Sequence, residues 1–247
     1  QLATKGMKAL AATDCLNFGN PEKPQVMGEF VEAVECISQV CETLDVPIIS
    51  GNVSLYNETL DKNVTSTPST GVVGLGEHIE TIPHDQFVRD GERAFLIRCE
   101  LWKGCFYQAE LLNKNYQFVG EWNSSLFLSF VSSVRGYVNK FNPRTCVAVG
   151  KLGPIYELLK MSQSGCSLHL SQELYEDLCA ERLYEVIVTT DSADSLKQHF
   201  EEMNGIQFFD LGTVSKHSLQ VEGQPLVKDP TWRQNYATQL QEAFGLE

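Results

Sequence analysis

No Cys-x-x-Cys pair occurs anywhere in the chain, although 8 cysteines are spread over its 247 residues. Cysteine and histidine do not cluster at metal-ligand spacings either, which argues against a zinc finger, a zinc ribbon or a redox dithiol. Also missing is any run of about 18 apolar residues, the length a bilayer-spanning helix needs, and no signal-peptide pattern opens the chain. Basic residues are scarce, 19 Lys and Arg against 32 Asp and Glu, for a net charge of −13. That balance argues against nucleic acid or an anionic membrane as a partner, because both need a basic footprint. A small phosphorylated molecule is still admissible, since backbone amides and a metal supply local positive potential. The cysteines, among them Cys36, Cys41 and Cys146 at apolar positions of predicted elements, read as buried reduced thiols of a cytoplasmic protein. Four Asn-x-Ser/Thr triplets, at Asn52, Asn57, Asn63 and Asn123, matter only in a secreted chain and read as chance.

What is present concentrates between Leu10 and Glu58. Two polar, glycine-bearing segments stand there, Thr13-Asp14-Cys15-Leu16-Asn17-Phe18-Gly19-Asn20-Pro21-Glu22-Lys23-Pro24 and Ser50-Gly51-Asn52-Val53-Ser54-Leu55-Tyr56-Asn57-Glu58. Each follows a short apolar run, Ala9 to Ala12 and Val46 to Ile49, and such runs bounded by turn residues read as buried strands. Each segment is therefore expected as a loop leaving the carboxyl end of a strand, where function concentrates. Between them, apolar residues at 27, 30, 34, 37, 41 and 44 trace one face of a helix from Gln25 to Leu44. Glu29, Glu32, Glu35 and Glu42 form its solvated side. Pro24 suits the first helical turn, and Leu44-Asp45-Val46-Pro47 ends the helix because a residue before proline avoids the helical region.

Taken singly, the candidate residues are weak signals. Asp14 accepts from an amino or hydroxyl group or orients a metal-bound water, yet such an Asp is usually a turn former. Gly51 permits close approach of a ligand, and by itself is a turn glycine. Asn52 offers a neutral hard oxygen that magnesium accepts alongside phosphate oxygens. Ser54 can donate to a phosphate or carbonyl.

The spelling is more specific. ATDCLNFGNPEKP, followed after one helix by SGNVSLYNE, resembles the phosphoribosylformylglycinamidine synthase family, in the second internal repeat of the synthetase subunit of its multi-subunit form. The likeness covers residues 9 to 76 and thins beyond residue 90. It implies an α+β, AIR-synthase-like fold with a truncated N-terminal domain (1–80), a linker (81–92) and an α+β C-terminal domain (93–247). Residue by residue it implies that Asp14 and Gly51 contact nucleotide, Asn52 magnesium and Ser54 substrate. The family reaction converts an amide carbonyl to an amidine, with ATP and Mg2+ and with ammonia from a glutaminase partner. Its histidine belongs to a first repeat that would precede this chain, so no catalytic histidine is expected here: His78, His84, His169, His199 and His217 all lie outside the two segments. The implied partners are that N-terminal half, the glutaminase subunit and a small bridging subunit. The chain accordingly reads as a piece, inactive alone. Two rivals stand beside this reading: a non-catalytic nucleotide-binding pseudo-repeat, and another ATP-dependent AIR-synthase relative such as aminoimidazole ribonucleotide or selenophosphate synthetase. The NFGNPEKP and NVSLYNE spellings speak against the last.

One departure is evident. Where the second repeat carries a histidine- and glycine-rich turn, this chain reads Ala148-Val149-Gly150-Lys151-Leu152-Gly153-Pro154, without acid or histidine. A scaffold or degenerate pseudo-repeat role, without a ligand, is expected of that second domain. Leu101 to Cys105 likewise lacks the family's GGSEY-like turn. Further strands are expected at 70–76, 93–97, 145–149, 185–189, 206–211 and 219–221. Helices are expected near 125–138, 154–162 and 192–204. A last helix, 230–244, would carry a core stripe of Trp232, Tyr236, Leu240 and Phe244.

Overall fold

The computed structural model describes residues 1–99, 122–150, 152–162, 168–171, 174, 178, 180–182, 184–215, 219–226, 231, 234 and 238. The expected stripe of Trp232, Tyr236, Leu240 and Phe244, and the segment Leu101 to Cys105, lie outside the described residues.

A 3-10 turn at Ala3–Lys5 leads into β1 (Lys8–Asn17), then α1 (Pro24–Leu44) and β2 (Ile48–Ser54). A small hairpin, β3 (Glu58–Thr59) and β4 (Lys62–Asn63), precedes β5 (Thr67–Leu75). β1 is the central strand of a three-stranded sheet, parallel to β2 and antiparallel to β5. This corrects the sequence expectation in one respect. Thr13 to Asn17 and Ser50 to Ser54 are strand, not loop, so Asp14, Gly51, Asn52 and Ser54 all sit on paired backbone. Strand preference depends on the neighbours more than on the residue, and a ladder on both sides of β1 outweighs the turn preference of Asp and Asn.

α1 begins on Pro24 and ends at Leu44 with Asp45 in the left-handed region (φ 54°). Its buried stripe is rotated from the expected one. Val26, Phe30, Ala33 and Ile37 pack against Leu16 and Phe18, whereas Met27 and Val34 are exposed. The reason lies in the crossover: α1 packs where Leu16 and Phe18 rise towards it, and the Phe18 and Phe30 rings meet edge-on at 5.1 Å. Cys36, on the outer side, is exposed rather than buried, Cys41 is half-buried and Cys146 is buried.

The second sheet orders its strands β10-β6-β9-β7 and is antiparallel throughout. It contains β6 (Arg93–Cys99), β7 (Cys146–Ala148), β9 (Glu185–Thr190) and β10 (Ile206–Thr213). β10 carries a bulge between Asp210 and Gly212, where Gly212 takes φ 99°. α2 (Ser124–Phe141) and α4 (Ala193–His199) cover one face, burying Phe95, Ile97, Phe130, Val134, Leu196 and Phe200. α3 (Gly153–Met161) covers the other, with Leu96, Leu158, Met161 and Ile187 at its centre. A third small sheet, β12-β11-β8, closes that side, from β8 (His169–Leu170), β11 (Gln220–Val221) and β12 (Gln224–Pro225). Asn123 has a structural role. Its side chain accepts from Leu126 N at 2.9 Å and caps α2. Ser192 caps α4 in the expected way, but that helix stops at His199, short of Asn204.

The N-terminal turn is built into this second core. Lys5 Nζ donates to the carbonyls of Pro83 (2.8 Å) and Cys146 (3.0 Å) and pairs with Asp85. Asn139 donates to Gly6 O at 3.1 Å, at a left-handed glycine where a Cβ would fall 2.4 Å from the Asn139 oxygen. Residues 83–92 pack onto the second sheet as well, for Phe87 is fully buried.

Candidate functional site

The pairing register sorts the first sheet into two unlike faces, because successive side chains of a strand alternate and paired residues share a side. One face carries rows of small, uncharged polar residues: Thr13 with Ser50 and Gly71, Cys15 with Asn52 and Ser69, Asn17 with Ser54 and Thr67. The other carries Asp14 with Gly51 and Thr70, then Leu16 with Val53 and Pro68. α1 lies on this second face, since Leu16 packs into it. Thr70 Oγ1 donates to Asp14 Oδ1 at 2.9 Å. Asp14 also faces α1 closely enough to help raise the Cys41 thiol above its ordinary value, burial being the larger cause.

Asp14, Gly51 and Asn52 come together around one shallow hollow of about 410 Å³, with Thr13, Cys15, Ser50, Ser69, Thr70 and Gly71. The Asp14 and Asn52 side chains nevertheless leave opposite faces of the sheet, since Asp14 pairs with Gly51 and Asn52 with Cys15. Gly51 is required for the strands to meet as they do. A Cβ there would fall 2.8 Å from the Asp14 carbonyl oxygen. Ser54 stands one row beyond Asn52, beside Asn17, outside the lining of the hollow.

Two asparagines read as chance triplets tie the segments together. Asn57 Nδ2 donates to Phe18 O and to Ser54 O, each at 2.9 Å, and Asn57 Oδ1 accepts from Ser54 Oγ at 3.1 Å. Asn63 Oδ1 accepts from Asn20 N at 3.1 Å and from Lys23 Nζ at 3.2 Å, while Lys23 Nζ pairs with Glu58 at 2.5 Å. A Cβ on Gly19 would meet the Asn63 side chain at 2.6 Å. The signal for Asn57 was in the sequence, as a side-chain amide a turn's length after Ser54 in a polar segment. Asn63 gave none, because its side-chain partners Lys23 and Asn20 lie 40 and 43 positions away.

Among the described residues, no group of three or more His, Cys, Asp or Glu could hold a metal ion. The donors near the hollow are one carboxamide, several hydroxyls and, on the far face, one carboxylate. A second cavity of about 330 Å³ opens at the end of β9, between residues 80–92 and the end of α2. Glu92 lies in it, 4% exposed and 3.2 Å from Arg144 Nε, and burial raises its carboxyl above the usual range. No residue expected at the site lies there. No helix among the described residues is long and apolar enough to cross a membrane.

A family model described as "AIR synthase related protein, N-terminal domain" matches residues 1–76. The chain is 48% identical over 98 residues to the phosphoribosylformylglycinamidine synthase subunit PurL of Carboxydothermus hydrogenoformans. That match covers 39% of this chain and 13% of the relative, so the chain spans a small part of that subunit's length. In fold, Thermotoga maritima PurL complexed with ATP superposes on 93% of this chain and 38% of its own, at a TM-score of 0.63 and 12% identity. PurLQS from the same organism gives 0.61 and 12% over 91% of this chain and 37% of its own. The fold is AIR-synthase-like and α+β.

Proposed function

We propose that this chain, whose first 76 residues match the AIR synthase related N-terminal domain, is part of the synthetase subunit of a phosphoribosylformylglycinamidine synthase. The reaction joins ammonia to the amide carbon of formylglycinamide ribonucleotide, with ATP as the activating group. The observation that carries this reading is the pairing of the ATDCLNFGNPEKP and SGNVSLYNE segments as adjacent parallel strands, Asp14 against Gly51 and Cys15 against Asn52. In this reading Asp14 and Gly51 contact nucleotide, Asn52 a magnesium ion and Ser54 the substrate. The residues fit a magnesium that arrives with the triphosphate. Magnesium keeps several waters and takes its remaining oxygens largely from phosphate, and Asn52 supplies one neutral oxygen from a face without a carboxylate. Bound there, the ion offsets phosphate charge during transfer.

The chain supplies one wall of the cleft. Apolar side chains of the first sheet and α1 remain open, among them Ile49 (68% exposed), Val53 (55%), Val73 (53%) and Leu75 (73%). An open apolar surface of this kind marks an interface, and we assign it to the N-terminal half of the same subunit, which also brings the catalytic histidine. The glutaminase subunit and the small bridging subunit complete the assembly, in the cytoplasm. We divide the chain into an N-terminal domain at 1–80, a linker at 81–92 and a C-terminal domain at 93–247, the last a scaffold.

The isolated chain is expected to show no turnover with ammonia, ATP and magnesium, and measurable turnover by it alone would contradict the proposal. In the complete enzyme, Asn52→Ala and Asp14→Ala each lower the rate if these residues serve chemistry. The opposed directions of the two side chains favour a second reading, in which the segment holds nucleotide and magnesium as a structural pseudo-repeat. In that case the same variants lose the thermal stabilisation that ligand gives and keep the rate.

A further inference from the structure

We infer that the Ser54 hydroxyl acts only as a hydrogen-bond acceptor toward the molecule bound against it, and that Asn57 is the positioning residue that makes it so. The inference rests on the proposal above that Ser54 contacts substrate. It begins with the amide of Asn57. Its nitrogen lies 2.9 Å from Phe18 O and 2.9 Å from Ser54 O, and a carbonyl oxygen can only accept. Both amide hydrogens are therefore committed, which fixes the way the amide faces. The atom left toward Ser54 Oγ, at 3.1 Å, is Oδ1. The two oxygens are placed for a hydrogen bond, and Oδ1 has no hydrogen to give. The hydrogen is the hydroxyl's own, and it points inward.

Ser54 is left with lone pairs alone. They accept from an O–H or N–H and repel the oxygens of a phosphate. The group that meets Ser54 is then a hydroxyl or amide N–H of the substrate, its ribose or its amide arm, and not its phosphate. This reverses the donor role expected of Ser54 from the sequence. Asn57 is itself held from several directions. Tyr56 takes the left-handed conformation (φ 57°), Tyr56 N donates to Gly19 O at 2.9 Å, and Val64 N donates to Asn57 O at 3.0 Å. Turning the amide over would break its bonds to both segments at once.

The test uses the complete subunit with ammonia as nitrogen donor, and two ligands: formylglycinamide ribonucleotide and its riboside without the 5′-phosphate. Ser54→Ala is expected to weaken binding of both ligands by about tenfold, the usual effect of one lost hydrogen bond, because the lost contact is not to phosphate. Asn57→Ala is expected to raise KM for the ribonucleotide with kcat little changed. The double variant should be no worse than the single ones, since one hydrogen-bond chain is being cut twice. A Ser54→Ala penalty confined to the phosphorylated ligand would overturn the acceptor role while leaving Ser54 at the substrate site. No penalty with either ligand would overturn the placement of Ser54 at substrate, and this inference with it. Strictly additive penalties would overturn the positioning role of Asn57.

Discussion

In the two larger sheets of the described residues, the inner strands β1 and β6 are built to opposite ends. Every residue of β6 from Ala94 to Cys99 is buried, with Phe95, Ile97 and Cys99 meeting the α2 and α4 side and Ala94 and Leu96 meeting the α3 side. β1 is covered by α1 on the face where Leu16 lies, and its other face shows Thr13, Cys15 and Asn17. A strand buried on both sides is an almost continuous apolar run, and one with an open side alternates. The second sheet thus completes its own core. The first spends its sequence on a neutral polar face and a hollow, and leaves apolar edges for another body to cover. The same chain separates stability from binding by placing them in different sheets.

That division can be broken most sharply by truncating the two centres. Leu96→Ala, in a fully buried side chain of the second sheet, is expected to cost about 2–5 kcal/mol in denaturant unfolding. A loss below ~1 kcal/mol would mean that the second sheet is not the stabilising core. Gly51→Ala comes next. The added methyl would press within 2.8 Å of the Asp14 carbonyl, so β2 must shift, at a cost of about 1–3 kcal/mol. Wild-type stability in this variant would show that the first sheet tolerates strand separation. Val53→Ser, at a 55% exposed position of the edge strand β2 on the face that α1 covers in part, should stay within roughly 0.5 kcal/mol in the isolated chain. The same change should weaken association with the N-terminal half of the subunit.

Two smaller effects sharpen the contrast chemically. Burial, opposed by Arg144 and Arg89, raises the Glu92 carboxyl above its unfolded value. The folded state then holds its proton to higher pH than the unfolded chain, so this group's contribution to stability falls as pH rises from the ordinary carboxylate range through its raised value. Melting temperatures across that window should decline more steeply in wild type than in Glu92→Gln, and parallel curves would remove Glu92 from the account. Thiol reactivity should divide by sheet as well. Cys146, inside the second core, is pushed up to about 12 by burial, and Cys36 is exposed on α1. Alkylation of the native protein should mark Cys36 and spare Cys146; labelling of Cys146 at the same rate would show that the second core opens readily.

Much of this architecture could be read from residues alone. Steps of three and four between apolar positions announced α1, Pro24 and the Asp45-Val46-Pro47 stop marked its ends, and runs such as Glu185 to Thr189 announced buried strands. The site residues were readable as letters and misread as structure. Asp14 and Gly51 look like loop residues because their local preferences favour turns, and only a partner on each side of β1 makes them strand. The burial of α1 was misjudged by one residue for a related reason, since its stripe depends on where two phenylalanines rise from the sheet.

The order of residues by itself determined the helix α1 with its start and stop, buried strands such as β6 and β9, and that Asp14, Gly51, Asn52 and Ser54 belong to one pair of motifs. These follow from local periodicity and chain stereochemistry, which act over a few residues. Only the tertiary structure decided that Asp14 and Asn52 face apart, that Asn57 and Asn63 clasp the two segments, and that the Ser54 proton is turned inward. Those outcomes depend on strand register and on hydrogen-bond partners 39 to 43 positions distant, such as Asn57 with Phe18 and Asn63 with Asn20. Folding chooses among such pairings by satisfying every buried donor and acceptor together, a condition that no short window of sequence contains.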